Sequence, residues 1–128
     1  MKKILMLFVL AAYAAFAQNS KVTPLMAKDL TGIAAAPQEG TVLTVEYPPG
    51  VSSAQHRHNA HTFVYVLEGS VVMQVKGGKE MTLTEGQTFY ETPDDIHSVS
   101  RNASTTKPAK ILVFMVKAKG APATVPVK

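Results

Sequence analysis

Four histidines, His56, His58, His61 and His97, fall between residues 56 and 97 of a 128-residue chain. His56 and His58 are two apart, so on a strand both imidazoles point to one side and Arg57 to the other. Two imidazoles on one face make half a site for a first-row divalent metal. Three neutral imidazoles hold such an ion while leaving positions open for water or substrate, and His97 is a further imidazole downstream. Two other residues could add a donor. Glu91 lies six before His97, on a strand entering the same turn, where a carboxylate can complete the shell, orient a ligand or serve as a general base. His61 follows His58 by three and needs a bulge to swing inward. Glu91 is the favoured of the two.

The composition closes other routes. With no cysteine in the chain, disulfide staples, thiolate metal sites, a thiol nucleophile and a redox CxxC are excluded. Ser98 and Ser100 lie near His97, but no acid is placed to orient a histidine base, so a hydrolase triad is not indicated.

The elements that must position these residues read as β-strands. Thr41–Tyr47, Ser52–His58, His61–Leu67, Ser70–Lys76, Glu80–Thr84, Gln87–Glu91, Ile96–Arg101 and Ile111–Val116 are short and bounded by turn residues. Glu68-Gly69 between two of them reads as a hairpin turn. Strands spaced about ten residues apart predict a sandwich or barrel rather than a βαβ sheet. No stretch carries the 3.6-residue period of a long amphipathic helix. Residues 18–40 read as an irregular arm, 41–117 as the β domain, and 118–128, with Gly120, Pro122 and Pro126, as a flexible tail.

The first 17 residues read as an export signal. Met1-Lys2-Lys3 precedes an apolar run, Ile4 to Ala17, of about 14 residues, against the ~20 a spanning helix needs. Ala15-Phe16-Ala17 gives the small residues a signal peptidase requires, with the cut expected after Ala17. A periplasmic or secreted protein without stable membrane insertion is expected. The two lysines of the signal account for two of the four net positive charges. The small remainder, spread along the chain, gives no nucleic-acid surface.

A longer frame surrounds the histidines. Gly50, five residues, His56-Arg57-His58 and then Gly69 form one part; Gly86, Thr92-Pro93-Asp94-Asp95-Ile96-His97 and Asn102 form another. In this frame the sequence resembles the cupin superfamily, small single-domain cupins in particular, over roughly Thr41 to Val116. The family's first motif is Gly, five residues, HxH, three or four residues, Glu, six residues, Gly; its second is Gly, five residues, PxGxxH, three residues, Asn. The resemblance implies a jelly-roll β-barrel or sandwich with His56, His58 and His97 holding a metal inside. It also implies pairing of chains, and a homodimer is expected. Three departures stand out. The family's glutamate would fall at Thr62 or Phe63, neither a carboxylate. Thr92 and Asp94 replace the Pro and Gly, and Asn102 comes one residue late.

The expected cofactor is one divalent transition metal, whether Fe, Mn, Zn, Cu or Ni, and the expected partner is a small organic molecule. The resemblance implies a metalloenzyme of dioxygenase-like chemistry, and Glu91, by its position before His97, is the expected catalytic and additional metal-binding group. The alternative is a non-catalytic module that captures a metal or small ligand.

Overall fold

Among the described residues, nine antiparallel strands form two sheets, and the burial along the long strands follows the period-2 pattern of the sequence. The structure, a computed structural model, describes residues 36–128. The segment expected to be an export signal, and the expected arm up to residue 35, lie outside the described residues.

The strands are β1 (Gln38–Tyr47), β2 (His56–Arg57), β3 (His61–Glu68), β4 (Ser70–Val75), β5 (Met81–Thr84), β6 (Thr88–Glu91), β7 (His97–Asn102), β8 (Ala109–Ala118) and β9 (Val125–Pro126). One sheet runs in the order β1-β8-β3-β6 and the other in the order β5-β4-β7-β2-β9. The chain is all-β, a jelly-roll sandwich closed around one core. Along β8 the residues Ala109, Ile111, Val113, Met115 and Lys117 are buried in strict alternation, so one face of this long central strand lies inside. Val66, Val71 and Met73 are fully buried and seal the end of the core away from the histidines' strand ends.

Three sequence expectations change. The segment Glu68-Gly69 is a corner and not a hairpin, because β3 and β4 belong to different sheets. Gly69 makes the corner possible. Its φ is +71°, and a Cβ there would meet the Pro108 carbonyl oxygen at 2.5 Å, so only glycine fits both the left-handed backbone and the close approach. The arm expected over 18–40 ends sooner, since β1 starts at Gln38 by pairing with Ala118 of β8.

The flexible tail expected over 118–128 has a defined course. The Lys117 ammonium, buried on the inner face of β8, donates to the Glu39 carboxylate and to the Ala121 carbonyl. That anchor sends the chain back across the open end, where Val125 and Pro126 pair with Arg57 and His56 of β2. A buried charge needs such partners, which composition alone does not reveal.

Candidate metal centre

His56 and His97 are direct cross-strand partners in the β2–β7 ladder, which brings the two halves of the histidine set together from residues 41 positions apart. His58 follows the end of β2, and Asn59, with φ of +51°, then reverses the chain into β3. Asparagine is among the few side chains that tolerate this left-handed backbone. The ligand nitrogens of His56, His58 and His97 lie within 4.8 Å of one another.

A β-bulge places His97. Val75 pairs with His97 and Gln74 with Val99, leaving Ser98 as an extra residue in β7. The bulge turns His97 and Ser100 to the same inner face despite their odd spacing, and Ser98 instead donates to the Gln74 carbonyl. It also explains why Asn102 comes one residue late. That side chain is buried and donates to the carbonyls of Tyr47, Pro48 and Lys107, tying β7 to the ends of β1 and the loop before β8.

The imidazoles are oriented by backbone oxygens. His56 Nδ1 lies 2.8 Å from the Ala54 carbonyl and His58 Nδ1 lies 2.7 Å from the Ala123 carbonyl. A carbonyl only accepts, so each Nδ1 carries the proton and each Nε2 keeps its lone pair for a ligand. Burial pushes the His56 pKa below its ordinary 6.5, with charge on His97 and His58 acting the same way against the raising effect of the Ala54 bond and Glu91. The neutral form that a metal requires is therefore the favoured one.

Glu91 stands within this group. Its Oε1 lies 3.1 Å from His97 Nδ1 and 3.7 Å from His58 Nε2, and the residue is 1% exposed. Yet both Glu91 oxygens and both His97 nitrogens are buried without a hydrogen-bond partner among the described residues. Four such atoms in one place are unusual for a folded protein and point to a cation that satisfies them. The donor set suits one: in a tetrahedral shell with bonds of ~2.05 Å, neighbouring donors sit ~3.3 Å apart, so a small inward movement of the imidazoles completes it. The residues present thus fit a divalent metal.

His61 lies elsewhere. It alternates with the inward-facing Thr62, and its Nδ1 is 2.7 Å from the Tyr90 hydroxyl, with the two rings stacked on the outer side of the sheet. No bulge turns it into the group; the only register shift of β3 against β8 lies at Val66/Glu68.

The histidines open onto a cavity of about 350 Å3 inside the sandwich. Leu43, Val45, Val64, Ile111, Val113 and Met115 form an apolar part of its wall. Sequence reasoning missed several contributors. Ala123, Thr124 and Pro126 of the C-terminal segment line the cavity, and their sequence carries no signal of it. Tyr47 and Ser100 meet inside it at 2.7 Å; the inward parity of Tyr47 was readable from β1, while the bulge hid that of Ser100. Thr62 also lines the cavity.

Known proteins agree with this architecture. The DMSP lyase DddQ from Ruegeria pomeroyi DSS-3 matches with a TM-score of 0.59 at 21% identity, over 67% of this chain and 42% of that one. The RmlC-like cupin from Shewanella frigidimarina matches with a TM-score of 0.54 at 22% identity, over 64% of this chain and 69% of that one. A cupin domain from Bordetella pertussis matches with a TM-score of 0.50 at 25% identity, over 62% of this chain and 82% of that one. The chain spans less than half the length of the DMSP lyases it resembles. No curated protein matches the sequence. The family model described as the cupin domain matches residues 43–115, and on that match, with the two-sheet fold, the chain belongs to the cupin family.

Proposed function

We propose that this chain binds one divalent transition metal through His56, His58 and His97, and acts on a small organic molecule held in the cavity beside it. The carrying observation is the set of orphaned buried atoms on Glu91 and His97, next to two imidazoles already fixed as acceptors toward one point. When bound, the ion supplies a Lewis acid and open positions for the oxygens of a substrate. The chain's own part is to hold His56 and His58 by backbone carbonyls, to exclude water with apolar walls, and to take up a substrate proton at Glu91 Oε1. A dioxygenase-like reaction suits this arrangement. Proteins described as a DMSP lyase and a predicted oxalate decarboxylase among the similar structures support chemistry on a small molecule in this fold without fixing the reaction.

A non-catalytic capture module is the second reading. The closeness of Glu91 to two of the histidines favours it, because a fourth protein ligand closes a tetrahedral shell. Elemental analysis of protein purified without chelator or nickel resin tests the shared part: near one metal per chain is expected in the wild type and almost none in His56→Ala/His58→Ala. Full metal content in that double variant overturns the site. Open coordination positions with turnover select the enzyme, and a closed shell without turnover selects the module.

The same proposal places the protein outside the cytoplasm, as a periplasmic or secreted chain cut after Ala17, and pairs it as a homodimer. The pairing is supported by one cross-strand row, Val42–Phe114–Phe63–Tyr90, on the outer face of the β1-β8-β3-β6 sheet. Val42 is 64% and Phe114 41% exposed, a contiguous apolar strip of the kind that marks an interface. Sedimentation of the wild type as a dimer and of Phe114→Asp as a monomer is the expected result.

A further inference from the structure

The cavity has a polar point apart from the histidines, and its protons do not balance. Tyr47 on β1 and Ser100 on β7 come from opposite sheets, both nearly fully buried, and their hydroxyl oxygens are 2.7 Å apart. Two hydroxyls bring two protons, and the bond between them uses one. Neither oxygen has another hydrogen-bond partner among the described residues. One O–H is therefore left to donate, inside a cavity whose wall is mostly aliphatic. A buried donor without an acceptor is costly, and a ligand atom supplies what the protein does not.

Charge restricts the ligand further. Among the described residues, no lysine or arginine lines the cavity. The inward lysine of β8, Lys117, is already held by Glu39 and the Ala121 carbonyl. With a divalent ion on three neutral imidazoles and one Glu91 carboxylate, the site carries a single net positive charge. It can neutralise one anionic group at the metal end. A second anionic group further in would be buried without a partner, which apolar surroundings penalise heavily.

Spacing sets the scale. Ser100 follows His97 by three residues on the same strand, so the two ends lie at most about 10 Å apart along β7. Val64, Met73 and Val113 also line the cavity and offer only packing.

We propose that the cavity takes a small monoanionic or neutral chelating molecule: one metal-binding oxygen group at the histidine end, an uncharged apolar body, and one hydrogen-bond acceptor met by the Tyr47–Ser100 hydroxyl pair. This assignment rests on the metal-binding reading above and adds to it the class of ligand. Dianionic acids and phosphates are selected against, since only one of their charges finds a partner.

The test uses three probes on the full chain loaded with cobalt(II), whose visible absorption reports both metal uptake and ligand binding. 4-Acetylbenzoate has the carboxylate, the apolar ring and the distal acceptor. 4-Isopropylbenzoate keeps the shape without the acceptor, and terephthalate replaces the acceptor by a second charge. 4-Acetylbenzoate is expected to bind about tenfold more tightly than either, the size of one buried hydrogen bond left unmade. In Tyr47→Phe/Ser100→Ala the preference over 4-isopropylbenzoate should fall to within about twofold, with cobalt uptake retained. The wild-type comparison among probes stands even where the double variant folds poorly. Terephthalate binding as tightly as 4-acetylbenzoate overturns the assignment, as does no binding of 4-acetylbenzoate at millimolar concentration or a preference that survives loss of both hydroxyls. If the wild type takes up no cobalt at all, the metal reading itself fails; cobalt uptake with any of those three results fails the ligand assignment alone.

Discussion

Thr62 and Glu91 stand opposite each other in the β3–β6 ladder, and both side chains face the cavity. Thr62 is the inward-facing one of the two places where the cupin motif would carry its glutamate, and Glu91 sits directly across from it. A residue and its cross-strand partner have Cβ atoms ~5 Å apart, so a carboxylate offered from β6 reaches nearly the space that one offered from β3 would fill. The carboxylate at the site thus comes from β6 and not from β3.

This relation predicts how the two positions trade. Glu91→Gln keeps the size and loses the charge, so metal affinity should fall by roughly 10–100-fold, as for loss of a group that orients or supports ligands, while the circular dichroism spectrum is unchanged. Thr62→Glu combined with Glu91→Thr returns the carboxylate to β3 and should recover most of that affinity. Metal titration by isothermal calorimetry measures both. A double variant as weak as Glu91→Thr alone would show that the exchange across the ladder is not equivalent.

The C-terminal segment is predicted to act on the metal without touching it. Ala123 fixes the tautomer of His58, and β9 pairs with β2 beside His56. A chain ending at Ala121 keeps the carbonyl that holds Lys117 but loses both supports. It should remain folded, with a melting temperature lowered by a few degrees, and bind metal about 10–100-fold more weakly. Unaltered affinity in the shortened chain would make the segment a mere cover.

Much of this was legible in the sequence, and the exceptions share one cause. Strand positions and the HxH pair follow from local alternation and spacing, Glu91 from its place on the strand entering the turn before His97, and the ligand role of His97 from the resemblance to cupins. The corner at Gly69, the bulge at Ser98 and the return of residues 121–126 depend on which strand sits beside which. Residue pairs such as Gly69 with Pro108, or Lys117 with Glu39, are set by tertiary contact, and no local period encodes them. The bulge matters most, because one extra residue exchanges the two faces of a strand. Parity counted from Asn102 would have turned His97 away from the site.

Acid should weaken the metal-free fold. Burial, with charge on His97 and His58, holds the His56 pKa below its ordinary 6.5. Above 6.5 the imidazole is neutral in both folded and unfolded chains and imposes no difference. As pH falls below 6.5 the unfolded chain takes up a proton that the folded chain resists, so stability declines toward the lower, folded-state value. The melting temperature of metal-free protein should therefore drop between pH 7 and pH 5, and less steeply in His56→Gln. Bound metal should move the decline to lower pH, because it too requires the neutral imidazole. Identical pH profiles for wild type and His56→Gln would remove His56 as the source.

Gly69 and Gly50 separate two costs that glycine usually hides together. Both have positive φ, +71° and +74°, but a Cβ on Gly50 meets nothing within 4 Å, while one on Gly69 overlaps the Pro108 carbonyl oxygen and crowds Ala109. Gly50→Ala should cost about 1–2 kcal/mol, the left-handed backbone alone. Gly69→Ala carries that cost and must also displace backbone at the corner where the chain passes between sheets. It should be the more destabilising by a further ~1–3 kcal/mol, the range for forcing atoms into a packed interior. Urea midpoints of the two variants decide this. Equal midpoints would mean that the 107–109 loop yields freely, and that the approach of Pro108 to Gly69 does not fix the corner.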